Sequence, residues 1–123
     1  MNTDVKILIC DDSILARKSL RQVLNDLGFE DVSEVSNGED AVKFCKDNKP
    51  GIVLLDIVMP VKDGVTATAE IMEAVPETKI VIVSSVGTQT HIKEAIKAGA
   101  RDFIQKPIDA DLLEQVLENI ING

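Results

Sequence analysis

The sequence has no tryptophan and no tyrosine, and only three phenylalanines in 123 residues. Stacking platforms for unpaired bases are therefore nearly missing. Positive charge is also scarce: 13 Lys and Arg against 21 Asp and Glu leave a formal net charge of −8. Nucleic acid and anionic membranes both reward a positive surface, so neither is an expected partner. The two cysteines, Cys10 and Cys45, lack C-x-x-C spacing and read as buried, reduced thiols rather than a disulfide. The early apolar run Ile7–Cys10 ends in two aspartates and is too short for a signal-peptide core or a membrane span. The chain reads as cytoplasmic. His91 is the only histidine and has no second His or Cys at metal-ligand spacing. It reads as a surface helix residue. Neither G-x-G-x-x-G nor G-x-x-x-x-G-K-[ST] occurs, so nucleotide binding has no motif behind it. Ser13, Ser84 and Ser85 have no evident His–Asp partners for hydrolysis.

What is present suits one soluble domain over residues 1–123, at 45% hydrophobic and 28% charged. Strand-like and helix-like segments alternate five times, without repeats or linkers. Strands are expected near 5–10, 32–35, 52–55, 79–83 and 102–105. Helices are expected near 14–27, 36–47, 64–74, 89–98 and 109–121. Ser36-Asn-Gly-Glu39 has capping-box spacing at the second helix, Gly28 fits the end of the first, and Asp109 fits the start of the last. The third and fourth strands lack polar alternation and read as buried on both faces. A (βα)5 order with right-handed crossovers predicts an α/β fold: a doubly wound, parallel five-stranded sheet.

In such a sheet, the carboxyl ends of the strands form one edge, where ligands bind. Asp11 and Asp12 follow the first strand, Asp56 the third, Ser84 the fourth and Lys106 the fifth. Residues far apart in sequence would meet there. Three carboxylates suit Mg²⁺, which takes hard oxygen ligands and keeps several waters. A carboxylate such as Asp56 can act as nucleophile toward phosphorus, and an amine and a hydroxyl can bind phosphoryl oxygens. Each residue also has a plainer reading. The acid pair could cap a helix, Asp56 and Ser84 could merely open loops, and Lys106 could be a surface residue beside Pro107. An X-Pro bond there can be cis, which would aim the lysine inward. The combination at four strand ends favours the chemical reading.

Those residues resemble the receiver domain of two-component response regulators. The match rests on Asp11-Asp12, on Asp56 followed by Met59-Pro60 and Asp63-Gly64, on Ser84, and on Lys106-Pro107. The resemblance implies a flavodoxin-like fold and Mg²⁺ at the acid cluster, completed by the backbone carbonyl of Val58. It implies phosphorylation of Asp56 by a histidine kinase, Ser84 touching the phosphoryl group and Lys106 pairing with it. It also implies a signalling switch rather than an enzyme, with Ser84 and Phe103 as switch residues. Phe103 stands where Tyr is frequent, Ile108 where Phe is frequent, and Val58 and Val86 where other members carry polar groups that place the hydrolytic water.

The stretches Ser84-Ser-Val-Gly-Thr-Gln89 and Glu94–Pro107 are similar to stand-alone chemotaxis regulators within that family. That likeness implies a monomer with a chemotaxis-type histidine kinase, a flagellar motor switch protein or other output protein, and an auxiliary phosphatase as partners. Two further readings stay open. One is the receiver domain of a transcriptional regulator or other phosphorelay. The other is a Mg²⁺-dependent small-molecule phosphotransferase, disfavoured by the single histidine and the absence of a lid segment.

Overall fold

The computed structural model describes residues 1–85 and 89–123. Five strands and five helices alternate: β1 (Ile7–Cys10), α1 (Ile14–Asp26), β2 (Val32–Val35), α2 (Gly38–Asn48), β3 (Ile52–Leu55), α3 (Gly64–Ala74), β4 (Lys79–Ser84), α4 (Gln89–Ala98), β5 (Asp102–Gln105) and α5 (Ala110–Asn122). All neighbouring strands are parallel, in the order β2-β1-β3-β4-β5. The expected doubly wound sheet is the one observed. The strand order reverses direction between β1 and β3, and the crevice of such a sheet opens there.

The two-residue period of a strand divides the core between the faces of the sheet. Leu8, Cys10, Val53, Leu55, Ile80 and Ile82 point to one side, where Val42, Ile71 and Ala95 of α2, α3 and α4 cover them. Ile7, Ile9, Ile52, Leu54, Val81 and Val83 point to the other, against Leu20 and Leu24 of α1 and Leu113 and Leu117 of α5. Burial on both faces explains why β3 and β4 read as unbroken apolar runs. Cys10 and Cys45 are buried and free, as expected.

Helix starts are set by side-chain caps. Ser13, Asn37, Asp63 and Asp109 cap α1, α2, α3 and α5, each accepting from a backbone N–H of the first turn. The second is a correction, because the Ser36…Glu39 capping box does not form. Asn37 takes the cap instead, its Oδ1 accepting from the Asp40 N–H at 2.8 Å. Asn and Ser cap about equally well, and tertiary fit decides between them. The shift places Gly38 first in the helix, where a Cβ would lie 2.2 Å from the Lys62 carbonyl oxygen. The first helix also disposes of one plainer reading. Ser13 is its cap, and Asp11 Oδ1 accepts from the Ser13 N–H at 2.9 Å.

Candidate functional site

Three strand ends converge at the reversal of the sheet. Asp11 leaves β1, Asp56 leaves β3, and the Asp56 N–H donates to the Cys10 carbonyl at 3.0 Å, extending the ladder between them. Asp11 and Asp56 are 1% and 8% exposed, whereas Asp12 faces solvent. Lys106, just beyond β5, crosses the edge to both: Nζ donates to Asp11 Oδ2 at 2.6 Å and to Asp56 Oδ2 at 3.3 Å. Its N–H is tied to the Ser84 carbonyl at 2.9 Å, and the Lys106–Pro107 bond is cis. Ser84 closes β4 and is fully buried. Asp11, Asp56 and Lys106 are thus in contact, and Ser84 adjoins them through its backbone bond to Lys106.

The carboxylate of Asp56 is held from its own loop, since Oδ1 accepts from the Ile57 N–H at 2.7 Å. The loop then turns sharply into α3. The Gly64 N–H donates to the Ile57 carbonyl at 2.7 Å, and a Cβ on Gly64 would lie 2.1 Å from the Asp56 carbonyl oxygen. Only glycine lets the loop close this tightly. The spacing Asp56…Asp63-Gly64 is thus structural as well as chemical, with Asp63 capping α3.

Burial alone would depress the Lys106 ammonium, but its hydrogen bond to Asp11 and the charges of Asp56 and Asp11 outweigh it. The net effect holds its pKa above the ordinary value of 10.5. Lys106 is therefore a charged ammonium at neutral pH. Burial, reinforced by the Asp11 charge, pushes the Cys10 thiol far up, and burial raises Cys45 to about 12. Neither thiol is a nucleophile at neutral pH.

One ligand oxygen from each of Asp11, Asp12 and Asp56 lies within 4.8 Å of the others. Three convergent hard oxygens, two of them buried, fit a small divalent cation. Among the described residues no other such acidic, His or Cys group occurs. Val58 lies two residues past Asp56 and is 60% exposed. Val86 falls outside the described residues. Phe103 is half-buried on β5 and packs against the core half beneath α2, α3 and α4.

Two features were not legible in advance. His91 is on a helix, as expected, but is half-buried rather than fully at the surface. It lines an open cleft of about 440 Å³ with Val58, Met59, Thr66 and Glu94. Arg17 reaches from α1 to the Asp11 carbonyl, with Nη1 at 2.7 Å. Its only sequence signal is a place on the helix that follows the acid pair.

A doubly wound sheet with two buried acids, a third that is exposed, and a lysine bridging the buried two at its reversal defines a class. Residues 7–118 match the family model for the response regulator receiver domain, and the chain belongs to that family. It is 44% identical over 114 residues to the chemotaxis protein CheY of Listeria monocytogenes, covering 93% of this chain and 96% of that one. The CheY of Bacillus subtilis is 39% identical over 117 residues, covering 95% and 98%. Among solved structures, a CheX–CheY–BeF3–Mg complex from Borrelia burgdorferi superposes with a TM-score of 0.90 at 33% identity, covering 95% of this chain and 89% of that one. This chain is thus a CheY-like receiver domain of a two-component system.

Proposed function

We propose that the chain is a phosphorylation switch, acting as one receiver domain over residues 1–123 with Asp56 as phosphoacceptor. The observation that carries this reading is the Lys106 ammonium shared between Asp11 and Asp56 at 2.6 and 3.3 Å. An Asp56 oxygen attacks the phosphorus of a kinase phosphohistidine. The P–N bond breaks, and its electron pair stays on the imidazole nitrogen. Such a transfer needs alignment and charge neutralisation more than covalent help. Lys106 supplies a fixed positive charge beside the nucleophile and can follow the new phosphoryl oxygens. Asp11, Asp12 and Asp56, with the Val58 carbonyl, would hold Mg²⁺. Bound there, the ion would offset the mutual repulsion of the carboxylates and of the incoming phosphoryl oxygens.

Ser84 and Phe103 carry the response. A phosphoryl group on Asp56 is a new acceptor at the end of β3, and the Ser84 hydroxyl at the end of the adjacent β4 is suited to donate to it. Drawing that strand end inward alters the space beside Phe103 on β5 and reshapes the face made by α4, β5 and α5. A ligand shifts such an equilibrium only through contacts that differ between the two states, and the phosphoryl–Ser84 bond is one such contact. The output is protein binding. The names of the relatives support chemotaxis: a CheA-like histidine kinase upstream, and a flagellar motor switch protein or another output protein downstream. Val58 offers no side-chain hydrogen bond to a hydrolytic water, which supports a persistent acyl phosphate and a use for an auxiliary phosphatase.

The test is intact-mass measurement after incubation with acetyl phosphate and Mg²⁺. One added phosphoryl group is expected on the parent and none on Asp56→Asn. Labelling of that variant at the parental rate would refute the assignment.

A further inference from the structure

Asp11 and Asp12 lie outside any regular element. The β1–β2 ladder continues only as far as the Asp11 N–H, which donates to the Val35 carbonyl at 3.2 Å. The next acceptor along this edge is the Asp11 carbonyl, and Arg17 takes it, with Nη1 at 2.7 Å. A guanidinium thus replaces the missing strand donor at the peptide joining the two acids. Arg17 is itself pinned. Its Nε donates to Glu34 Oε1 at 3.1 Å, and its side chain is only 16% exposed. Glu34, on β2, is a fork, since Oε2 accepts from Arg21 Nε at 2.6 Å. Arg21, one turn along α1, also donates Nη2 to the Val32 carbonyl at 2.9 Å. The hydrogen bond and charge of Arg21, with those of Arg17, outweigh burial and hold the Glu34 carboxyl below its ordinary value. It is a carboxylate at neutral pH.

We propose that Arg17 is a positioning residue for the cation site, with Glu34 as the anchor that aims it. This rests on the reading of Asp11, Asp12 and Asp56 as metal ligands. Arg17 fixes the Asp11–Asp12 peptide through its carbonyl, so both carboxylates are presented together before the cation arrives. Losing a group that orients metal ligands without touching the ion typically costs about ten- to a hundredfold in metal affinity or activity. Arg21 shares the Glu34 anchor and the same helix, yet it touches β2 and not Asp11. It therefore separates positioning from mere attachment of α1 to the sheet.

Charge and positioning predict opposite signs. Arg17 is a cation near a cation site, so deleting it on electrostatic grounds alone would tighten Mg²⁺ binding. If it positions the acids, deletion weakens binding. Calorimetric titration with MgCl₂ of the parent, Arg17→Ala, Arg17→Lys and Arg21→Ala decides the matter. Each variant is first checked by urea unfolding without Mg²⁺, and Arg17→Met, which keeps the apolar stem, replaces the alanine variant if that fails to fold. The expected result is a Kd raised roughly tenfold for Arg17→Ala. Arg17→Lys should recover part of this, since one ammonium can still reach the carbonyl, and Arg21→Ala should match the parent. An unchanged or lower Kd for Arg17→Ala, or an equal rise for Arg21→Ala, would overturn the proposal while leaving the metal reading intact. No Mg²⁺ binding by the parent would overturn the metal reading, and this proposal with it.

Discussion

Lys106 sets the balance of the site at the scale of single residues. Two buried carboxylates beside each other repel. One ammonium in contact with both relieves this. Lys106→Met keeps the stem and removes the charge, leaving Asp11 and Asp56 without their cation. The expected cost is roughly 1–3 kcal/mol of stability at neutral pH, the range for stranding a buried polar partner. Urea unfolding of parent and variant measures it, and equal midpoints would contradict the account. Because the folded pKa of Lys106 is raised, its contribution is fully present below the ordinary lysine value of 10.5. It is lost as pH climbs through the raised value. The gap between parent and variant should therefore persist through neutral pH and close only in strong alkali.

The loop between β3 and α3 controls the site at the scale of elements. Gly64 brings α3 against the Asp56 backbone, at a separation no Cβ tolerates. Gly64→Ala should cost about 1–3 kcal/mol, as overpacking does, and should also slow labelling of Asp56 by displacing its carboxylate. Gly28→Ala is the contrast. Gly28 has a φ of 101°, but its nearest neighbour is the Thr3 side chain at 3.4 Å, far from the acids. It should lose stability without slowing labelling. Equal labelling rates for Gly64→Ala and the parent would show that the tight turn does not place the nucleophile.

Elements are also where sequence and structure compare most usefully. The sheet was legible because β1, β3 and β4 are unbroken or nearly unbroken apolar runs, while β2 and β5 are short segments of β-formers that fall in the alternating order. Asp11, Asp12, Asp56, Ser84 and Lys106 were legible because each stands at or just past the end of a β-forming segment, and parallel order brings those ends to one edge. Asn37 was missed as the cap of α2, because local spacing favoured Ser36. The deciding contact is the approach of Gly38 to Lys62, 24 residues away in the chain. Arg17 was missed for the same kind of reason. Its partners, Glu34 and the Asp11 carbonyl, are set by how α1 lies across the sheet. The left-handed backbone of Val61, with a φ of 70°, has no sequence signal at all, since valine is ill-suited to it.

For the whole molecule, the account requires the acid cluster and the β5 face to respond together. Phe103 links them. It packs against the core half beneath α2, α3 and α4, on the strand whose end carries Lys106. Among the described residues, no helix is long and apolar enough to cross a membrane. In the proposed reading, a signal at Asp56 leaves through the α4–β5–α5 surface. The most direct measurement is an amide NMR comparison of the protein before and after adding beryllofluoride with Mg²⁺, which mimics the phosphoryl group without a kinase. Shifts are predicted at Asp11, Asp12 and Asp56, continuing through Ser84 to Phe103 and α4. Shifts confined to the acid cluster and Lys106, with Phe103 and α4 unmoved, would contradict the switch.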